Sequence, residues 1–148
     1  MSLYSVMDIA GSAMSAQNVR LNTTASNLAN ANSVASSAGE TYKARHPVFA
    51  PQLQQALQGG PGQSSMRQSG AVGVQVLGIV ESDKPLVMEY APNHPMADEN
   101  GYIYKPNVNA MEEMANMMSA SRSYQTNVQL ADTTKQLLSR TLRMGQQS

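Results

Sequence analysis

The sequence predicts an α+β fold: long N- and C-terminal helices paired as a coiled-coil-like hairpin, with a small central β element. Three observations predict it. Apolar residues recur at alternating three- and four-residue spacing near both ends of the chain. The period changes to two in the middle, where valines alternate with other residues. Proline, glycine and glutamine separate the two regimes. On these grounds the chain divides into an N-terminal helix within 1–38, a β-rich centre over 39–105 and a C-terminal helix within 106–148.

The N-terminal helix rests on Met7, Met14, Leu21 and Leu28, which fall seven apart. Leu3, Ala10, Gln17, Thr24 and Ala31 fill the intervening seam positions. Ser5 followed by Asp8 reads as a capping box. A helix of about 30 residues is roughly 45 Å long. Only Asp8 and Arg20 are charged before Glu40, although a solvated helix normally carries charge on its outer face. The stretch TTASNLANANSVASS, Thr23 to Ser37, has no charge at all. Its small residues permit close approach of neighbouring backbones, and its asparagines offer donors and acceptors without the desolvation cost of a charge. Ser33 to Gly39 reads as loop.

In the centre, Tyr42 to Phe49 is an extended candidate, cut by Pro47 and ended by Pro51. The segment 52–73, rich in Gln, Gly and Ser, reads as a flexible loop. Val72, Val74, Val76, Ile79 and Val80 mark a strand, and Ser82 to Pro85 a turn. Leu86 to Tyr90 follows as a second strand and Tyr102 to Tyr104 as a third, which suggests a hairpin with an added strand.

Pro106 opposes helix before it, and Asn109 with Glu112 forms a box-like start for the C-terminal helix. Its seam reads Met114, Met117, Tyr124, Val128, Ala131, Leu138 and Leu142, interrupted by Ser121 and Lys135. Arg140 and Arg143 complement the helix dipole, and Gly145 is a natural stop. Matching stripes at the two ends most simply pack on each other. Gln17, Thr24, Ser121 and Lys135 dilute that seam, so the hairpin alone is marginal and neighbouring subunits supply the remaining burial.

Composition narrows the function. Ten basic and ten acidic residues cancel, which gives no footprint for nucleic acid or an anionic membrane. Charged residues are 14% of the chain, low enough to favour self-association over solubility. With no cysteine, disulfides and thiolate metal sites are excluded. No segment reads as a membrane span or as a cleaved leader, so the chain is expected either to stay in the cytosol or to leave by a leaderless route. His46 and His94 each precede a proline, as surface turn residues do, and no nucleophile elbow, phosphate loop or paired-carboxylate motif accompanies them. Asp98 and Glu99 lie near His94, but adjacent carboxylates in a turn point apart. The expectation is no enzyme, no cofactor, no metal and no small-molecule substrate.

Three stretches resemble the flagellar axial proteins, the rod and hook components. ASNLANANS (Ala25 to Ser33) resembles their N-terminal signature, and PNVNAMEEMANMMSASRSYQTNVQ (Pro106 to Gln129) their C-terminal one. YAPNHPMADENGYIYKPNVN (Tyr90 to Asn109) and the opening SVMDIAGSAMSAQNVRLN are similar to the C-type proximal members of the flagellar basal-body rod family. Met96 stands where that family more often has an acidic residue, and Thr126 where alanine is usual. The resemblance implies a structural subunit of the proximal rod, a torque-transmitting shaft within the periplasm. It implies terminal helices forming an inner coiled-coil layer and a central β region forming an outer one. It also implies passage through the flagellar type III export apparatus, and partners that are copies of itself and other rod proteins. A needle subunit or effector of another type III-like export system is the alternative, and the β segment with the asparagine signature speaks against it. Met7, Met14, Leu21, Leu28, Met114, Met117, Tyr124, Val128, Leu138 and Leu142 are the expected helix seam; Asn27, Asn30, Arg122 and Asn127 are the expected contacts between subunits.

Overall fold

A computed structural model describes residues 3–52 and 72–145. Most of the 52–73 segment expected to be a loop lies outside the described residues. Helix α1 runs Leu3–Asn30 and helix α2 Ala110–Gly145. Between them come β1 (Arg45–Pro51), β2 (Val74–Glu81), β3 (Val87–Tyr90) and β4 (Tyr102–Lys105). The architecture is α+β with terminal helices packed on each other, as the two stripes predicted.

Helix α1 already includes Ser5 and Asp8, so this pair lies inside its first turns instead of capping it. Its far end closes where Ala31 donates to the Leu28 carbonyl at 3.2 Å and Ser33 to the Asn30 carbonyl at 3.1 Å. These tighter bonds use up carbonyls that the helix leaves open. Thr23 and Thr24 are buried, and each hydroxyl donates back to its own helix, to the Val19 carbonyl at 2.8 Å and the Arg20 carbonyl at 2.7 Å. A buried hydroxyl thereby keeps a partner without any contribution from a neighbouring element.

The strands form two separate antiparallel pairs, β1 with β2 and β3 with β4. This corrects the expected hairpin in which the valine strand pairs through Ser82–Pro85 with Leu86–Tyr90. The reason lies far away in sequence. Beyond β2, Ser82 still pairs backward, its N–H on the Ala44 carbonyl at 2.7 Å. Asn107 then holds the turn, its amide donating to the carbonyls of Ser82 (3.3 Å) and Lys84 (2.7 Å) and accepting from the Ala44 N–H (2.7 Å). The candidate Tyr42 to Phe49 is the true partner of the valine strand, in register from Arg45 opposite Glu81 to Pro51 opposite Val74. A bulge between Val48 and Phe49 interrupts that ladder, and an edge strand with a free side accommodates Pro47 and Pro51.

The β3–β4 connection builds itself from local bonds. The Asp98 carboxylate accepts the N–H groups of Asn100 (2.9 Å) and Tyr102 (2.8 Å), and His94 Nδ1 accepts the Met96 N–H (3.1 Å). Gly101 closes the turn at φ 82°, the left-handed region that glycine enters at no steric cost. Ala35 exchanges two backbone bonds of 3.0 Å with Tyr104, which ties the segment after α1 to β4. Asn109 caps α2, its side chain accepting the N–H groups of Met111 (3.0 Å) and Glu112 (3.4 Å).

The core is thin. Its buried apolar residues are Ala10, Ala16, Ala35, Ala44, Ala120 and Ile103. Among the described residues, the largest side chain that is completely buried is an asparagine, Asn27.

Candidate assembly surface and its internal polar hub

Asn27 sits in the uncharged N-terminal motif, on the face of α1 turned toward both β1 and α2. Its Oδ1 accepts the Tyr42 hydroxyl at 2.8 Å and the Arg45 N–H at 2.9 Å. Its Nδ2 donates to the Arg45 carbonyl at 2.8 Å and to Glu113 Oε2 at 3.2 Å. Two lone pairs and two protons are thus all engaged, which is the full capacity of a side-chain amide. Both bonds to Arg45 meet the backbone of one residue, so the amide pairs with the start of β1 as a neighbouring strand would. Asn27 is 0% exposed. Expected at a contact between subunits, it is instead engaged wholly within its own chain, because its side chain points inward and every bond it can make is already made.

The other expected contacts lie nearer the surface. Asn30 and Asn127 are half-buried, and each amide donates to the carbonyl four residues earlier, Ser26 (2.8 Å) and Ser123 (2.9 Å). Arg122 is exposed on α2. Arg20, half-buried on α1, donates to the Asn116 side chain at 3.1 Å. Arg20 with Asn116 and Asn27 with Glu113 run in opposite chain directions, so α1 and α2 are antiparallel.

The expected seam divides. Met7, Met14, Leu21 and Leu28 of α1 and Met117, Val128 and Leu138 of α2 are half-buried. Met114, Tyr124 and Leu142 are 46%, 38% and 61% exposed. The buried line on α2 is Glu113, Ala120 and Thr134, with half-buried Asn127 completing the seven-residue repeat. Pattern reading followed the bulky residues and missed this line, as it missed Asn107 and Tyr42. The available signal was a heptad of small and polar side chains one position away from Met114. Such residues let two helix backbones approach closely, and larger ones are displaced to the flanks.

The displaced side chains face outward. On α2, Met111, Met118, Leu130, Leu137 and Met144 are exposed with Met114 and Leu142. On the sheets, Leu77, Ile79, Val80, Val87 and Met88 are at least half exposed. An outer surface this rich in large apolar groups is what interaction faces carry. The geometry offers little to a small molecule. One cleft among the described residues, about 480 Å³, lies open between the segment after α1 and the start of β1, lined by Asn30, Glu40, Tyr42, Lys43 and Glu81. Among the described residues no group of three or more His, Cys, Asp or Glu is placed to hold a metal ion, and no helix is long and apolar enough to cross a membrane.

Comparison with known proteins agrees with a surface built for assembly. Residues 99–144 match the family model described as flagellar basal body rod FlgEFG protein C-terminal, and residues 7–35 the one described as flagella basal body rod protein. The chain is 44% identical to the flagellar basal-body rod protein FlgC of Salmonella typhimurium over 146 residues, which cover 99% of this chain and 100% of the other. The corresponding protein of Yersinia enterocolitica is 47% identical over the same coverage. That of Borreliella burgdorferi is 32% identical over 142 residues, 93% of each chain. Similarity at that level covers nearly the whole chain, and the chain therefore belongs to the flagellar basal-body rod proteins, as a structural rod subunit of the FlgC type.

Proposed function

We propose that this subunit takes its place in the proximal rod, packing its terminal helices against those of its own copies and of other rod proteins. In this reading residues 1–38 and 106–148 make an inner helical layer, and 39–105 an outer one. The resulting shaft transmits torque within the periplasm. The observation that carries the reading is the inversion of side-chain size: alanine and threonine inside, methionine, leucine and valine outside. Those outer side chains gain roughly 1.5–3 kcal/mol each when a neighbour covers them, burial that the lone chain does not provide. The half-buried seam residues together with Asn30 and Arg122 are the contacts we assign to neighbours, whereas Asn127, expected among them, lies on the inner line of α2. A marginal, alanine-built core also suits passage through the flagellar export apparatus as an unfolded chain.

The test is complementation of a flagellated bacterium made non-motile by deletion of its own copy of this rod protein. Leu28→Asp puts a charge on a half-buried seam position and is expected to abolish swimming while leaving expression unchanged. Swimming cells that carry the substitution would remove the seam from the assembly surface.

A further inference from the structure

We propose that Asn27 is the register pin of the fold: one buried amide fixes where α2 and β1 lie along α1. The buried alanines around it do not specify a register on their own, and the Arg20–Asn116 bond between the helices comes from a longer, half-buried side chain. Ala10 and Ala16 on α1 and Ala120 and Thr134 on α2 are small and similar, so a helix displaced along its seam finds much the same contacts. A seven-residue slip of α2 brings Pro106 or Ala120 to the position of Glu113, and neither side chain can accept the Asn27 proton. The same slip takes Glu113 away from its Asn27 donor. On the β side, Asn27 holds the N–H and carbonyl of Arg45 together, so a one-residue slip of β1 turns both groups away and a two-residue slip that brings Pro47 there offers no N–H. A buried, hydrogen-bonded polar side chain in a helix seam is a known physical means of choosing one register at some expense of stability. The inference concerns the chain's own fold and stands apart from its place in the rod.

The experiment uses the full chain, which has no native cysteine. Nitroxide labels on Asn22→Cys and Ser119→Cys, both exposed, report the offset of α1 against α2. Amide exchange at two adjacent residues supplies the second readout: the Arg45 N–H is held by Asn27, and the Ala44 N–H by Asn107. In the parent chain one label distance and two protected amides are expected. Asn27→Leu is expected to split or shift that distance by several ångströms, since one helical turn is about 5.4 Å. It is also expected to speed Arg45 exchange on the order of tenfold while Ala44 changes little. A variant that merely lowers stability would speed both amides alike and keep one distance.

Should Asn27→Leu fail to fold, two further variants decide. Asn27→Asp sets two carboxylates against each other and is expected to lose the register. Asn27→Asp with Glu113→Gln restores a donor between positions 27 and 113 with its direction reversed, and is expected to move the distance back toward the parent value, although the carboxylate at position 27 has no proton for the Arg45 carbonyl. A single parent distance with protected Arg45 in Asn27→Leu, or the same result in Asn27→Asp alone, would overturn the pin.

Discussion

Gly101 illustrates how one residue's backbone freedom shapes this molecule. At φ 82°, an added Cβ would stand 3.0 Å from the Tyr90 ring and 3.1 Å from Pro92 Cβ. The left-handed backbone costs a non-glycine residue roughly 1–2 kcal/mol, and the crowding adds to it. Gly101→Ala is therefore expected to lower Tm by several degrees in a thermal melt, and an unchanged Tm would mean the turn is softer than this geometry implies. The Tyr90 and Tyr102 rings meet edge to face at 5.2 Å beside that glycine, so the β3–β4 turn is held on both flanks. At the same scale, sequence pattern drew attention to Asn27 but gave it the opposite role. An asparagine in a polar helical stretch reads as a surface group, and only the arrival of Tyr42, Arg45 and Glu113 from other parts of the chain makes it an interior one.

Among the elements, the two helices were legible because their period is local. Side chains three and four residues apart share a face whatever the rest of the chain does. The cap of α2 was legible for the same reason. Asn109→Ala removes the acceptor for the Met111 and Glu112 N–H groups and is expected to cost about 1 kcal/mol in a denaturant melt. Strand pairing was not legible, since Asn107 and Ala44 decide it from positions 63 residues apart. Nor was the inner line of α2, because the largest apolar residues mark its flanks. The helices also differ in length, 28 residues in α1 and 36 in α2. At about 1.5 Å per residue, α2 exceeds α1 by roughly 12 Å. Residues 139–145 are all exposed, Leu142 and Met144 among them. A chain ending at Leu138 is therefore expected to change stability by no more than about 0.5 kcal/mol, as exposed surface does, and yet to fail in restoring swimming. Normal swimming with that truncation would show that this end of α2 has no neighbour to meet.

On the scale of the whole molecule, order is unevenly supplied. Near Asn27 the helices, β1 and the Tyr42 segment lock together through a saturated polar group, with Asn107 holding the next turn. Toward the start of α1 the buried residues are Ala10 and Ala16 with the methionines only half-buried, and toward the end of α2 Thr134 is the last buried residue while Leu137, Leu142 and Met144 face water. Local stability follows buried contacts and protected backbone bonds, so opening should be easiest at the end remote from the hub. On the proposed reading, neighbouring subunits complete what one chain leaves unfinished.

The most direct test is amide hydrogen exchange along α1 and α2, in the dilute chain and again in assembled rods. The account predicts slow exchange over 20–30 and 110–120 in both states. It predicts fast exchange over 3–9 and 137–145 in the dilute chain, slowed by at least an order of magnitude once assembled. Equally strong protection along both helices of the dilute chain, unchanged by assembly, would contradict it.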